Sequence, residues 1–148
     1  MRFIIFLMGA AGYSAVEYAF RGHTHWSMAL TGGACLLIFL LFTEEAGRMP
    51  MVLKALTGAF IFTVVEFFVG ILVNLIYKWD VWDYSHKPFN ILGQVCPEYS
   101  FKWFVLCLAL LGASSVLRTL WSLLRIRREK RKNKEEGREA DMEIPAFK

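Results

Sequence analysis

Residues 55–77 read ALTGAFIFTVVEFFVGILVNLIY, and this stretch decides the fold of the chain. Its single charged residue is Glu66, which has eleven uncharged residues on each side. A helix needs roughly 20 mostly apolar residues to cross a hydrocarbon core of about 30 Å. The stretch therefore predicts a transmembrane helix that carries one carboxylate near the middle of the membrane.

Long uncharged blocks recur on both sides of this stretch, at residues 3–16, 26–43 and 103–117. A soluble helical bundle would instead show its apolar residues in short stripes. We therefore predict an all-α integral membrane bundle of four transmembrane helices near residues 3–20, 26–42, 53–77 and 101–124. The four helices can be grouped as two helical hairpins. This transmembrane domain, residues 1–124, precedes a charged tail at 125–148, which we expect to prolong the last helix for a few turns and to be non-helical from Pro145.

The first apolar run also has features of a cleaved signal peptide. Arg2 precedes it, and small residues follow at positions 9–11. We favour an uncleaved first helix, because the run continues as far as Phe20 and three further spans follow.

The charge distribution predicts the orientation of the spans. The net charge is +4, and seven of the ten residues at 125–134 are Lys or Arg. Basic residues next to a span are retained in the cytoplasm. We therefore expect both termini to be cytoplasmic, in the plasma membrane, with the loop at 78–100 facing outward. A basic cluster in this place is typical of contact with anionic lipids, and nucleic-acid binding is disfavoured.

Glu66 is the sharpest candidate for a functional residue, because an ionisable side chain inside a membrane must be paired or hydrated. Polar or small residues recur around Glu66 at successive spacings of three and four, so they share its helix face. They are Thr63 before it and Gly70, Asn74 and Tyr77 after it. Asn74 is thus a second candidate on the same polar path. The alternative is a protonated Glu66 that only packs against a neighbouring helix.

Glu17 is a related candidate in the first span. Ala15-Val16-Glu17-Tyr18 resembles Val64-Val65-Glu66-Phe67, which is consistent with two duplicated helical hairpins or with chance. Arg21 follows Glu17 by four residues, so a local ion pair is as good an explanation as a polar site shared with Glu66.

The predicted outer loop has an unusual composition, with Trp82, Asp83, Tyr84 and Ser85 in succession and Asn90 downstream. Tryptophan and tyrosine commonly anchor at the headgroup level, but the polar residues between them indicate a structured loop. Residues 91–96 are too short to span and are candidates for a re-entrant turn. The His, Asp and Glu residues of this side have no compact ligand spacing, so we expect no metal site and no cofactor.

These residues carry a resemblance to a known family. The chain resembles the CmpB family, described as ABC-transporter type IV membrane proteins, over roughly residues 9–110. The matching residues are Gly12, Tyr13, Glu17, Gly22, His23, Thr24, Trp26, Met28, Glu66, Gly70, Trp82, Asp83, Tyr84, Ser85, Pro88, Asn90, Gly93, Cys96 and Trp103. The resemblance implies that Glu17, Glu66 and the outer-loop motif belong to one arrangement.

Three functions are compatible with these features. The favoured one is a transport-type, permease-like component, in which Glu66 and Asn74 line a polar path with Glu17 and Asp83 at its outer mouth. Four spans are few for a transporter, so a homo-oligomer or a partner membrane subunit is expected. The chain has no GxxxxGK[ST] phosphate loop, so any ATPase would be a separate chain. The alternatives are an intramembrane enzyme acting on a lipid or lipid-linked substrate, and a non-catalytic assembly or regulatory subunit.

Overall fold

A computed structural model describes residues 2–142 of the chain, and within this range the regular structure is helical. The α-helices are α1 (Arg2–Arg21), α2 (Trp26–Glu45), α3 (Met51–Gly70) and α4 (Pro97–Met142). A π-helical segment, Ile71–Ile76, continues α3 without a break. The predicted all-α fold is confirmed. Residues 143–148, with Pro145 and the end of the predicted tail, lie outside the described residues.

Among the described residues, three helical segments are long and apolar enough to cross a membrane. They are Trp26–Glu45, Met51–Ile76 and the part of α4 between Pro97 and Glu135. These segments identify a membrane protein. Helix α1 has 20 residues, but Arg2, Glu17 and Arg21 lie among them. Its role as a fourth span stays a prediction, and it depends on how Glu17 is neutralised.

Helices α1 and α2 form a tightly packed hairpin. A Cβ atom at Gly32 of α2 would clash with the Cβ atom of Tyr13 in α1, and a Cβ at Gly9 would lie 2.7 Å from the Gly32 carbonyl oxygen. Only glycine allows the two backbones to approach this closely. Helix α2 begins after His25, whose ring Nδ1 accepts the backbone N–H of Ser27 at 3.3 Å.

An aromatic row connects α2, α3 and α4. Phe39 packs edge-on against Phe62, with ring centroids 5.7 Å apart, and Phe62 packs edge-on against Trp103 at 5.6 Å. Phe39 and Phe62 are buried. Edge-to-face contacts at these separations are favourable in addition to the area they bury. This row fixes Trp103 beside the middle of α3.

The loop at 77–96 joins the π-helical segment to α4 and folds back on α3. A backbone pair between Ile91 and Val95 closes a tight turn in it. The loop is shorter than predicted, because α4 begins at Pro97 rather than near residue 101. Proline is well suited to the first helical position, where its missing N–H costs nothing.

The chain divides into two compact units, with the division after Ala109. The first holds α1 to α3, the 77–96 loop and the start of α4. The second begins at Leu110 and contains the rest of α4. This helix continues through residues 125–142 of the predicted tail, which is further than the few turns expected. Lys, Arg and Glu alternate there, and Arg125 pairs with Glu129 one turn later at 3.0 Å. Such pairs stabilise an exposed helix.

Candidate functional site

Glu66 lies in α3 with only 3% of its surface exposed. Its Oε2 accepts the indole N–H of Trp103 from α4 at 2.7 Å, and its Oε1 accepts the hydroxyl of Tyr84 from the 77–96 loop at 3.2 Å. The carboxylate therefore ties together two helices and the loop. A buried carboxylate without such donors would be very costly.

The two hydrogen-bond donors differ in the protonation states of Glu66 with which they are compatible. An indole N–H only donates, whereas a phenol hydroxyl donates or accepts. Burial, reinforced by the nearby Glu66, raises the pKa of the Tyr84 hydroxyl above its ordinary value. Tyr84 therefore keeps its proton and can donate to Glu66. The same hydroxyl is able to accept if Oε1 carries a proton, so this contact is compatible with either form of Glu66.

Asn74, in the π-helical segment, holds the 77–96 loop against α3. Its Nδ2 donates to the Trp82 carbonyl at 3.0 Å and to Gln94 Oε1 at 2.8 Å, while its Oδ1 accepts the Val81 N–H at 2.8 Å. The Trp82 indole donates to the Gln94 carbonyl at 2.9 Å. Asn74 is thus fully engaged by the loop. Isolated π-helical turns are frequent at functional sites.

Gly70 makes room for this network. A Cβ atom at Gly70 would lie 2.5 Å from Gln94 Oε1 and 3.0 Å from Trp82 Cζ2. Trp82 is itself buried against Met28 and Val73. The close approach of Gln94 and Trp82 to the α3 backbone thus requires glycine at this position.

Asp83, Ser85 and Asn90 organise the loop itself and do not reach Glu66 through any hydrogen bond in the described residues. Asp83 Oδ1 accepts the Ser85 hydroxyl at 2.6 Å and the Ser85 N–H at 2.8 Å. These bonds lower the pKa of the Asp83 carboxyl. Asn90 donates to the Ser85 and Lys87 carbonyls at 3.1 and 2.8 Å.

Glu17 forms a second buried carboxylate site. Arg21 Nη1 donates to its Oε1 at 2.8 Å, and the Thr24 hydroxyl donates to its Oε2 at 2.6 Å. The local ion pair considered from the sequence is therefore present. Arg21 also donates through Nη2 to the Val81 carbonyl at 3.0 Å, which links α1 to the 77–96 loop.

One aromatic contact joins the surroundings of the two glutamates. Tyr13, one turn before Glu17 on α1, stacks on Trp103 with ring centroids 5.7 Å apart. Trp103 is the ring whose N–H binds Glu66. The Tyr13–Trp103 stack therefore connects the surroundings of Glu17 and Glu66, but each glutamate has its own hydrogen-bond donors.

An apolar groove of about 420 Å³ lies between α3 and α4, and neither glutamate lines it. Its lining residues are Leu56, Ala59, Phe60, Thr63, Ser100, Phe101 and Phe104. In the part of the chain that the structure describes, every fully buried side-chain nitrogen or oxygen has a hydrogen-bond partner. Glu66 itself is almost fully buried, and both of its oxygens accept hydrogen bonds, so it is closed off in this conformation.

Comparison with known proteins agrees with this architecture. The sequence model of a family described as "Putative ABC-transporter type IV", the CmpB family, matches residues 27–128. The chain belongs to the CmpB family. No solved structure matches the chain.

The CmpB match contains Glu66, Asn74 and the whole 77–96 loop, but it begins after α1. Glu17 and the other residues of the resemblance between Gly12 and Trp26 therefore lie outside the matched residues. Sequence reasoning missed two residues as members of the site, Gln94 and Trp103. Gln94 is a polar residue in the otherwise apolar run 91–96, and Trp103 is one of the residues that carry the family resemblance.

Proposed function

We propose that this CmpB-family chain is a transport-type, permease-like membrane component in which Glu66 is the intramembrane carboxylate of the transport path. The observation that carries the proposal is the contact between Glu66 and Tyr84. A buried carboxylate is thereby in direct contact with a loop that folds back over α3. Intramembrane carboxylates commonly mark ion and substrate pathways.

The unequal lengths of the two Glu66 contacts support an opening step. The Trp103 bond at 2.7 Å belongs to the helices, whereas the Tyr84 bond at 3.2 Å belongs to the loop. Moving the loop away from α3 breaks the longer bond and keeps the shorter one. Glu66 then retains its position while one oxygen becomes accessible to a cargo or to water.

Arg21 and Asn74 provide further attachments of this loop to α1 and to the end of α3. Arg21 binds the Val81 carbonyl, and Asn74 binds both the Val81 N–H and the Trp82 carbonyl. In this proposal Asn74 lines the path once the loop has moved, and Glu17 sets the position of Arg21 at its mouth. Asp83, Ser85 and Asn90 keep the loop rigid, so that it moves as a unit.

The proposal includes a topology and a set of partners. The protein lies in the plasma membrane, with both termini cytoplasmic, four spans that include α1, and anionic lipids around the basic tail. The family description supports a separate ATPase, and the small number of spans supports a homo-oligomer or a partner membrane subunit. Tags at the C-terminus and at Ser85 should report opposite sides of the membrane, and the same side would overturn the topology.

The decisive experiment compares two isosteric substitutions. The tagged chain is purified from native membranes with its bound partners, reconstituted in vesicles and assayed for ATP-dependent uptake or efflux of candidate solutes. Glu66→Gln keeps the size of the side chain and can still accept from Trp103 through its amide oxygen. Glu44→Gln changes an exposed carboxylate at the end of α2, away from the loop, and is the matched control. Loss of transport with Glu66→Gln alone is expected, and full transport by this variant would overturn the role of the carboxylate.

The closed packing around Glu66 favours one second candidate, a non-catalytic assembly or regulatory subunit. Both carboxylate oxygens of Glu66 accept hydrogen bonds, from Trp103 and Tyr84, as a purely structural role would require. In that case Glu66→Gln would leave both transport and partner binding intact, whereas Glu66→Ala would release the partner by disordering the loop.

A further inference from the structure

The tip of the 77–96 loop presents large apolar side chains to its surroundings. Phe89, Ile91 and Leu92 are 87%, 58% and 63% exposed. Phe89 and Leu92 also have positive φ angles, 55° and 53°, which side-chain-bearing residues rarely adopt. The loop thus holds a strained backbone conformation in which these three side chains point away from the protein. We call Phe89, Ile91 and Leu92 the apolar tip.

Several backbone groups around the apolar tip are hydrogen-bonded within the loop. The Ile91 N–H donates to the Val95 carbonyl at 2.9 Å, and the Gly93 N–H donates to Asn90 Oδ1 at 3.0 Å. The Leu92 carbonyl accepts Gln94 Nε2 at 2.9 Å. Irregular backbone enters hydrocarbon only where such internal partners replace water. Ile91 and Gly93 meet this requirement at both backbone groups and Leu92 meets it at its carbonyl, so the loop itself satisfies much of the polar backbone that the tip brings to the membrane.

The apolar tip also lies beside a spanning helix rather than beyond its end. Gln94, two residues from Leu92, packs on Gly70, and the helical segment continues from Gly70 to Ile76. At the α-helical rise, the six residues Ile71–Ile76 extend the helix axis by at most roughly 9 Å beyond Gly70. Leu72, Leu75 and Ile76 in those last turns are exposed apolar residues of a segment apolar enough to span. The bilayer that surrounds them therefore reaches the level of the tip.

We propose that the apolar tip inserts into the adjacent lipid leaflet, where acyl chains cover Phe89, Ile91 and Leu92. Lys87 stands at the base of the tip and pairs with Glu98 at 2.8 Å, so the charged boundary lies immediately next to the apolar side chains. This is the order of groups at a membrane interface, with apolar side chains at the acyl boundary and charges at the headgroups. In this conformation the tip anchors the loop in the leaflet beside α3.

Collision accessibility of spin labels tests the insertion. Leu92→Cys and Phe89→Cys are each labelled with a nitroxide in the full chain, reconstituted in vesicles of phosphatidylcholine and phosphatidylglycerol. His86→Cys, at an exposed polar position of the same loop, is the matched control. The native Cys35, Cys96 and Cys107 are buried, so the parent protein should label poorly.

We expect the ratio of oxygen to aqueous nickel-chelate accessibility to be several-fold higher at Leu92 and Phe89 than at His86, because oxygen concentrates in hydrocarbon. Two positions are used so that a folding defect in one variant leaves the other informative. A ratio at both positions equal to that of His86 would place the tip in water and overturn the proposal. Low accessibility to both reagents would show that protein covers the tip, and would overturn it equally.

Discussion

The indole Nε1 of Trp103 lies 2.7 Å from Oε2 of Glu66, and this bond joins α4 to α3 across 37 residues of sequence. The same indole ring stacks on Tyr13 of α1 and packs edge-on against Phe62 of α3. Trp103 therefore has two separable roles, one as a packing surface and one as a hydrogen-bond donor. Substitutions that remove only the donor test the second role.

Trp103→Phe should lower the free energy of unfolding by about 1–3 kcal/mol, because it leaves a buried carboxylate oxygen without its donor. A phenyl ring preserves much of the stacking on Tyr13. Thermal and denaturant unfolding in detergent micelles measure the change. Trp121→Phe, at a side chain 72% exposed on α4, is the control and should have little effect. Equal stability of the two variants would contradict the importance of the bond.

Gly70→Ala should detach the 77–96 loop from α3, because the added Cβ lies 2.5 Å from Gln94 Oε1 and displaces the partner of Asn74. We expect a lower melting temperature and faster hydrogen exchange in the loop. Gly12→Ala is the matched control, since a Cβ there meets no atom within 4 Å. Its helix should be stabilised by up to about 1 kcal/mol through higher helix propensity. A melting temperature unchanged by Gly70→Ala would mean that the loop adjusts freely.

The helices were predictable because long uncharged runs have few stable arrangements other than spans. The extra length of α4 was harder to predict, since the alternating charges of residues 125–142 are compatible with helix or with an extended tail. The charges of Arg125 and Glu129 indicate a helix only once the two residues are known to pair one turn apart.

The site was only partly predictable. Glu66 stood out because a charge in an apolar run must find partners, but the sequence does not say which ones. Tyr84 and Trp103 are 18 and 37 residues away, and only the fold brings them to the carboxylate. Asn74 was expected to face a path, whereas its three hydrogen bonds all go to the 77–96 loop. Such partners depend on tertiary contacts that helix periodicity does not encode.

Asp83 should make the stability of the 77–96 loop dependent on pH in the acid range. Hydrogen bonds from the Ser85 hydroxyl and N–H lower the pKa of Asp83 below its ordinary value of 3.8. A carboxyl whose pKa is depressed by folding stabilises the folded form above the unfolded pKa, and this stabilisation disappears as the pH falls through the folded pKa. Protection of the loop from hydrogen exchange, compared between wild type and Asp83→Asn, isolates this residue. The difference should be constant above about pH 5 and should vanish in stronger acid, and a pH-independent difference would contradict it.

Glu17 and Arg21 should be strongly coupled, because Glu17 is a buried carboxylate whose donors, among the described residues, are Arg21 and Thr24. Removing Arg21 alone, as Arg21→Gln, leaves the Glu17 charge without its cation and also breaks the contact with the Val81 carbonyl. The Glu17→Gln single variant keeps a neutral acceptor for Thr24, so it should be milder. Arg21 is partly exposed, which reduces the loss for Arg21→Gln to about 1–3 kcal/mol, below that of a fully buried pair. A double-mutant cycle measures the coupling, and we expect the double variant to be more stable than Arg21→Gln alone. Strict additivity of the two single substitutions would mean that the ion pair does not hold α1 in place.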